Sequence, residues 1–164
     1  MKYILVVDDE ENNRDILVRY LSRRGYNMLS APGGHVALDI INQRDDIDLV
    51  LLDIHMPDMD GHEVLETLRK SYSASRLPVM MVTAETDSAS VIKSLGLGAD
   101  DYVTKPIDLP VLVARVESKL QLKASVEKQI EESTGHATGF PDAEKILQLI
   151  AQGENNQVEF KSTL

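Results

Sequence analysis

The sequence predicts an α/β chain: a doubly wound, five-stranded parallel sheet with helices on both faces, followed by a helical C-terminal extension. Three observations predict it. Short continuous apolar runs, the pattern of strands buried on both faces, alternate with segments of helical periodicity in the order βαβαβαβαβα. The runs Tyr3–Val7, Leu49–Leu52 and Val79–Val82 each stop at polar residues: Asp8-Asp9, Asp53 and Thr83. The 164 residues are 43% hydrophobic, enough to fill a core between layers.

Each element has its own signal. The first strand covers Lys2 to Val7. Asp8 to Asn13 is a polar loop and helix start, and Ile16, Leu17, Tyr20 and Leu21 fall at helical spacing up to Arg24, where Gly25 supplies the stop. Tyr26 to Ala31 reads as the second strand and Pro32-Gly33-Gly34 as a turn. Val36, Leu38, Ile40 and Ile41 mark a short second helix ending near Gln43. The third strand runs into Asp53, and the third helix begins near Gly61 with Val64, Leu65 and Leu68. Leu77-Pro78 opens the fourth strand. The fourth helix covers Asp87 to Ser94, with Val91, Ile92 and Leu95 on one face, and Gly96 and Gly98 break it. Asp101 to Thr104 is the fifth strand, which Pro106 forces to stop by Lys105. The fifth helix starts at Asp108, a natural N-cap, with Pro110 in its first turn.

Right-handed crossovers leave few topologies for this alternation. The expected strand order is 2-1-3-4-5, that of flavodoxin-like folds, whose ligand crevice lies at the carboxyl ends of strands 1 and 3. Asp8, Asp9, Asp53, Thr83 and Lys105 should therefore converge at one sheet edge.

Composition excludes several classes. With no Cys there is neither a disulfide framework nor a thiolate metal site. No apolar stretch is long enough to cross a bilayer, and the short apolar N-terminus meets acidic residues at once, unlike a signal peptide. A cytoplasmic protein is expected. Net charge is −10; residues 1–123 carry 14 basic and 20 acidic side chains, residues 124–164 carry 3 and 7. Neither part is basic overall, so nucleic acid is not indicated as a partner.

Three carboxylates in one crevice must shift their pKa values upward or bind a cation. Hard oxygen donors favour Mg²⁺, and His35, His55, His62 and His136 are not grouped at metal-ligand spacing. Asp9 and Asp53 are assigned as direct ligands, Asp8 as a ligand through water, and the backbone carbonyl of His55 as a further oxygen. With the cation in place Asp53 can attack a phosphoryl group, while Lys105 and Thr83 supply donors to its oxygens. Plainer roles stand beside these: an N-cap for Asp8 or Asp9, a strand-end hydroxyl for Thr83, a surface position for Lys105, a fixed core ring for Tyr102. His62 is expected on a helix surface.

The chain resembles the receiver domain of two-component response regulators. The matching pieces are Val7-Asp8-Asp9, Leu52-Asp53, Met56-Pro57-Asp58-Met59-Asp60-Gly61, Val82-Thr83-Ala84 and Gly98 to Pro106, in order across residues 1–123. The resemblance implies that Asp53 accepts a phosphoryl group from a histidine kinase or phosphotransfer protein with Mg²⁺, and that water removes it. It implies that Thr83 and Tyr102 switch, changing the face formed by the fourth helix, fifth strand and fifth helix. It also places His55 and Glu85 at positions that tune phosphate lifetime. The role is that of a phosphoacceptor regulator and not of an enzyme with turnover. A phosphatase of the haloacid-dehalogenase type is the rival reading, but Asp53-Ile54-His55-Met56 lacks the second Asp that would protonate a leaving group. A phosphate-independent binding module is the other.

Residues 124–164 form the extension. Leu112, Val113, Val116, Leu120, Leu122, Val126 and Ile130 suggest that the fifth helix continues to Glu132 and packs on something, a homodimer through this helix and the switch face being the expectation. Ala143, Ile146, Leu147 and Ile150 suggest another helix within Pro141 to Gln152, and Gln157 to Phe160 a short strand. Gly153 to Leu164 loosely resembles the opening of a Schlafen-type AlbA-like domain, so the extension is read as the start of a truncated output domain, with a stand-alone receiver carrying a dimerising tail and an adaptor as the alternatives.

Overall fold

Alternate residues of a strand point to opposite faces of its sheet, and here both sets are apolar. Leu5, Val7, Val50, Leu52, Val79 and Met81 join one buried cluster, while Ile4, Val6, Leu49, Leu51, Met80 and Val82 join another. Such strands must be covered on both sides. The computed structural model, which describes residues 1–84 and 88–135, contains β1 (Tyr3–Val7), β2 (Asn27–Ala31), β3 (Ile47–Leu52), β4 (Val79–Thr83) and β5 (Asp101–Thr104). They form one parallel sheet in the order β2-β1-β3-β4-β5.

The helices are α1 (Glu11–Ser22), α2 (Gly34–Gln43), α3 (Gly61–Ser71), α4 (Ser88–Gly96) and α5 (Leu109–Gly135). Ala37 and Ile41 of α2 with Val64, Leu65 and Leu68 of α3 close the first cluster. Leu17 and Leu21 of α1 with Leu112, Val113, Val116 and Leu120 of α5 close the second. Gly25, at φ +92°, turns the chain after α1, and the Asp108 carboxylate accepts from Val111 N–H at 3.2 Å as the cap of α5. Boundaries differ from expectation only at the ends: β1 starts at Tyr3, β2 at Asn27 and β4 at Val79, α1 stops at Ser22, α4 runs on through Gly96, and α5 passes Glu132 to reach Gly135.

Two readings of faces are overturned. In α4 the buried side chains are Ser90 and Ser94, whereas Ile92 and Leu95 are 69% and 50% exposed. Apolar periodicity therefore picked the outward face of this helix. The inward face is polar because it has a polar partner. That partner is His62, expected on the surface but only 6% exposed, whose Nε2 lies 2.8 Å from Ser94 Oγ. Ile16 of α1 is likewise exposed beside buried Leu17.

Charged residues also tie elements together. Arg69 of α3 donates to the carbonyls of Gly98 and Leu77 and to the Asp100 carboxylate, which also accepts from Val79 N–H. Buried Lys123 of α5 donates to Asp48, whose other oxygen accepts from Tyr3 N–H at the opposite edge of the sheet from the aspartate-bearing strand ends. Met1–Val126 form one compact unit and Glu127–Leu164 a second. Of the second only the end of α5 is described; the expected helix at Pro141 to Gln152 and strand at Gln157 to Phe160 lie outside the described residues. Among the described residues no helix is long and apolar enough to cross a membrane.

Candidate functional site

Register brings the site together. Val7 pairs with Leu52, so Asp8 and Asp53 leave the sheet at one level. Thr83 pairs with Thr104, which sets Lys105 just past it, and Lys105 N–H donates to the Thr83 carbonyl at 2.9 Å. Carboxylate oxygens of Asp8, Asp9 and Asp53 all lie within 4.8 Å of one another. Asp8 and Asp53 are buried and Asp9 is exposed, so the cluster opens to solvent on the Asp9 side.

The two buried carboxylates are held. Asp8 Oδ1 accepts from Glu10 N–H at 2.9 Å, and its Oδ2 accepts from Lys105 Nζ at 2.7 Å. Asp53 Oδ1 accepts from Ile54 N–H at 2.8 Å, and its Oδ2 lies 3.3 Å from the same Nζ. Burial pushes the Asp53 carboxyl above its ordinary pKa; the nearby Asp8 charge adds to this and Lys105 opposes it. For Lys105 burial works against the charge, but the hydrogen bond to Asp8 and the negative charges of Asp53 and Asp8 outweigh it, and the pKa is raised. One ammonium thus serves a cluster of three carboxylates, leaving an electrostatic deficit that a cation would fill. Hard oxygen donors without thiolate or imidazole suit Mg²⁺, which takes one or two carboxylates with waters.

The loop after β3 is constrained from inside. A Cβ on Gly61 would lie 2.1 Å from the Asp53 carbonyl oxygen and 2.8 Å from Ile54 Cα, so only glycine permits the chain to return beside the carboxylate. Gly61 N–H closes the loop on the Ile54 carbonyl at 2.7 Å, and the Asp60 carboxylate caps α3 by accepting from His62 N–H. Thr83 is fully buried at the end of β4. Tyr102 is half-buried on β5 and packs against the first cluster. His55 is exposed two residues past Asp53, and Glu85 lies outside the described residues. The Lys105–Pro106 peptide bond is cis.

Two participants were not anticipated. Arg14 of α1 donates to the Asp8 carbonyl at 2.7 Å, bracing the loop that carries the acidic pair. Asp58 accepts from Gly34 and His35 N–H at the start of α2. A signal for the second existed: α2 opens on Gly33-Gly34, whose N-cap has no side chain to accept from the first turn, which leaves those N–H groups open to an acceptor from elsewhere.

The fold and this edge define a class: an open α/β sheet with an acidic crevice at the reversal of strand order. The family model of the response regulator receiver domain matches residues 4–117, and the chain belongs to that family. It is similar to a CheY-like response regulator receiver domain protein from Methanospirillum hungatei JF-1, 31% identical over 76% of this chain and 98% of that one, with a TM-score of 0.72. The beryllofluoride-activated N-terminal receiver domain of Klebsiella pneumoniae RstA is 30% identical over 73% of this chain and 98% of that one, TM-score 0.67. A two-component system response regulator/GGDEF domain protein is 28% identical over 75% of this chain, TM-score 0.72; this chain spans 50% of its length. Receiver domains are signalling modules of two-component systems, and this chain is one by family and by fold.

Proposed function

We propose that this receiver domain is a phosphorylation-driven switch whose acceptor is Asp53. The observation that carries the reading is the meeting of Asp8, Asp9 and Asp53 within 4.8 Å, with Lys105 Nζ bridging Asp8 and Asp53. An Asp53 carboxylate oxygen attacks phosphorus, the P–N bond to the donor histidine breaks, and its electron pair stays on the imidazole nitrogen. The donor is a histidine kinase or a phosphotransfer protein. Asp9, Asp53, the His55 carbonyl and, through water, Asp8 would hold Mg²⁺, which would supply charge compensation for the phosphoryl oxygens. Lys105 and Thr83 donate to those oxygens; water later attacks phosphorus, the bond from the Asp53 oxygen to phosphorus breaks, and inorganic phosphate leaves the carboxylate free.

The switch then passes through Thr83 and Tyr102 to the face of α4, β5 and α5. That face offers Ile92, Leu95 and Val111 as exposed apolar side chains, suited to a partner or to a second copy that also engages the extended α5. The signalling part is residues 1–123, and 124–164 are a linker or extension. A phosphate-affinity gel after incubation with acetyl phosphate tests the reading. A retarded band is expected for the wild type with Mg²⁺; its persistence in EDTA, or in Asp53→Asn, would contradict the proposal.

A further inference from the structure

The loop between β3 and α3 is anchored to two helix starts at once. Asp60 caps α3, the helix that follows it. Asp58, two residues earlier, reaches a different helix. The N-cap of α2 is Gly33, which has no side chain to offer. In its place Asp58 Oδ1 accepts from Gly34 N–H at 3.3 Å and Oδ2 from His35 N–H at 3.1 Å. These donors are orphans of the first helical turn, and a carboxylate there also meets the positive end of the helix dipole.

The two glycines make room for this contact. A Cβ on Gly33 would lie 2.6 Å from Asp58 Oδ1, and one on Gly34 would lie 2.8 Å from Met59 Cβ and 2.7 Å from Val64 Cγ2. Met59 itself packs, partly buried, against the core. The segment from Asp53 to Gly61 is therefore stretched between β3, α2 and α3, and His55 lies within it. A free loop would leave the carbonyl of His55 to wander; a loop clamped on both sides offers it at a fixed place, which is how outer groups tune a metal site.

We infer that Asp58, clamped on the Gly33-Gly34 start of α2, is a positioning residue for the divalent-cation site, acting through the loop that carries the His55 carbonyl. The inference rests on the reading of the acidic cluster as a Mg²⁺ site. Asp58 is not a member of that cluster among the described residues, so its effect is transmitted by the backbone and not by direct ligation.

Isothermal titration of the whole chain with Mg²⁺ tests it, alongside thermal unfolding. Asp58→Ala is expected to weaken Mg²⁺ binding by about threefold to tenfold, the range between a lost cap and a lost outer-shell partner. Asp58→Asn keeps one of the two acceptors and should bind Mg²⁺ between Asp58→Ala and the wild type. Gly33→Ala reaches the same contact from the other side and should weaken binding as Asp58→Ala does. Asp39→Gly loosens α2 at an exposed position away from the loop and should lower thermal stability without changing Mg²⁺ affinity. Unchanged affinity in both Asp58→Ala and Gly33→Ala, or an equal loss in Asp39→Gly, would overturn the inference. Failure of the wild type itself to take up Mg²⁺ would instead overturn the metal reading, and this inference with it.

Discussion

Lys105 Nζ lies closer to Asp8 Oδ2, at 2.7 Å, than to Asp53 Oδ2, at 3.3 Å. The ammonium is thus engaged mainly by the carboxylate that the reading places in the metal's outer shell, leaving Asp53 the less neutralised of the two. Removing the cation in Lys105→Met leaves Asp8 and Asp53 buried and facing each other. Loss of one partner from a buried pair costs about 3–5 kcal/mol, and solvent at the partly exposed lysine reduces this to about 1–3 kcal/mol. Mg²⁺ should restore part of that loss. Urea unfolding in EDTA and in Mg²⁺ checks both statements; a variant as stable as the wild type in EDTA would count against the pairing.

Gly61→Ala should be among the most damaging single-methyl changes. Its Cβ would meet the Asp53 carbonyl and the Ile54 backbone, which cannot rotate away as a side chain can. Overpacking of this kind costs about 1–3 kcal/mol, with displacement of the Asp53 loop as the visible consequence. Denaturant midpoints report the first, and amide shifts of Asp53 to Asp60 the second.

The His62–Ser94 contact makes α4 depend on a hydrogen bond where an apolar inner face was expected. A double-mutant cycle with His62→Leu and Ser94→Ala should show a coupling of about 1 kcal/mol, the double variant being less damaged than the sum of the singles. Additive losses would mean that the two side chains merely adjoin.

Asp58 gives a pH signature. Backbone N–H donors, that of His35 first, hold its carboxyl below the ordinary value of 3.8. A depressed folded-state pKa adds stability above the unfolded value, and that stability is lost as pH falls through the folded value. Wild type should therefore exceed Asp58→Asn in melting temperature near neutrality, and the gap should narrow as pH drops below 3.8. A gap constant across that range would mean that the charge of Asp58 contributes nothing.

How far the sequence carried the structure depends on what kind of signal each element had. The three central strands, β1, β3 and β4, are apolar on both faces, and the crossover rule leaves few orders for them, so the sequence already places Asp8, Asp53, Thr83 and Lys105 at one edge. The same logic failed for α4, because periodicity reports an apolar stripe without saying whether core or solvent lies against it. Ile92 and Leu95 face out because His62, thirty-odd positions away in the chain as counted from Ser94, satisfies the inner face. Asp58 was read only as part of a motif, since a cap acceptor supplied from 24 residues away leaves no local pattern.

The central claim is that Asp53 carries a phosphoryl group with the help of a divalent cation. Intact-mass spectrometry after acetyl phosphate and Mg²⁺, with the adduct mapped by peptide digestion, tests it most directly. The account predicts the added mass of one phosphoryl group, located at Asp53, absent in EDTA and absent in Asp53→Asn. An unchanged mass, or an adduct that survives Asp53→Asn, would contradict it.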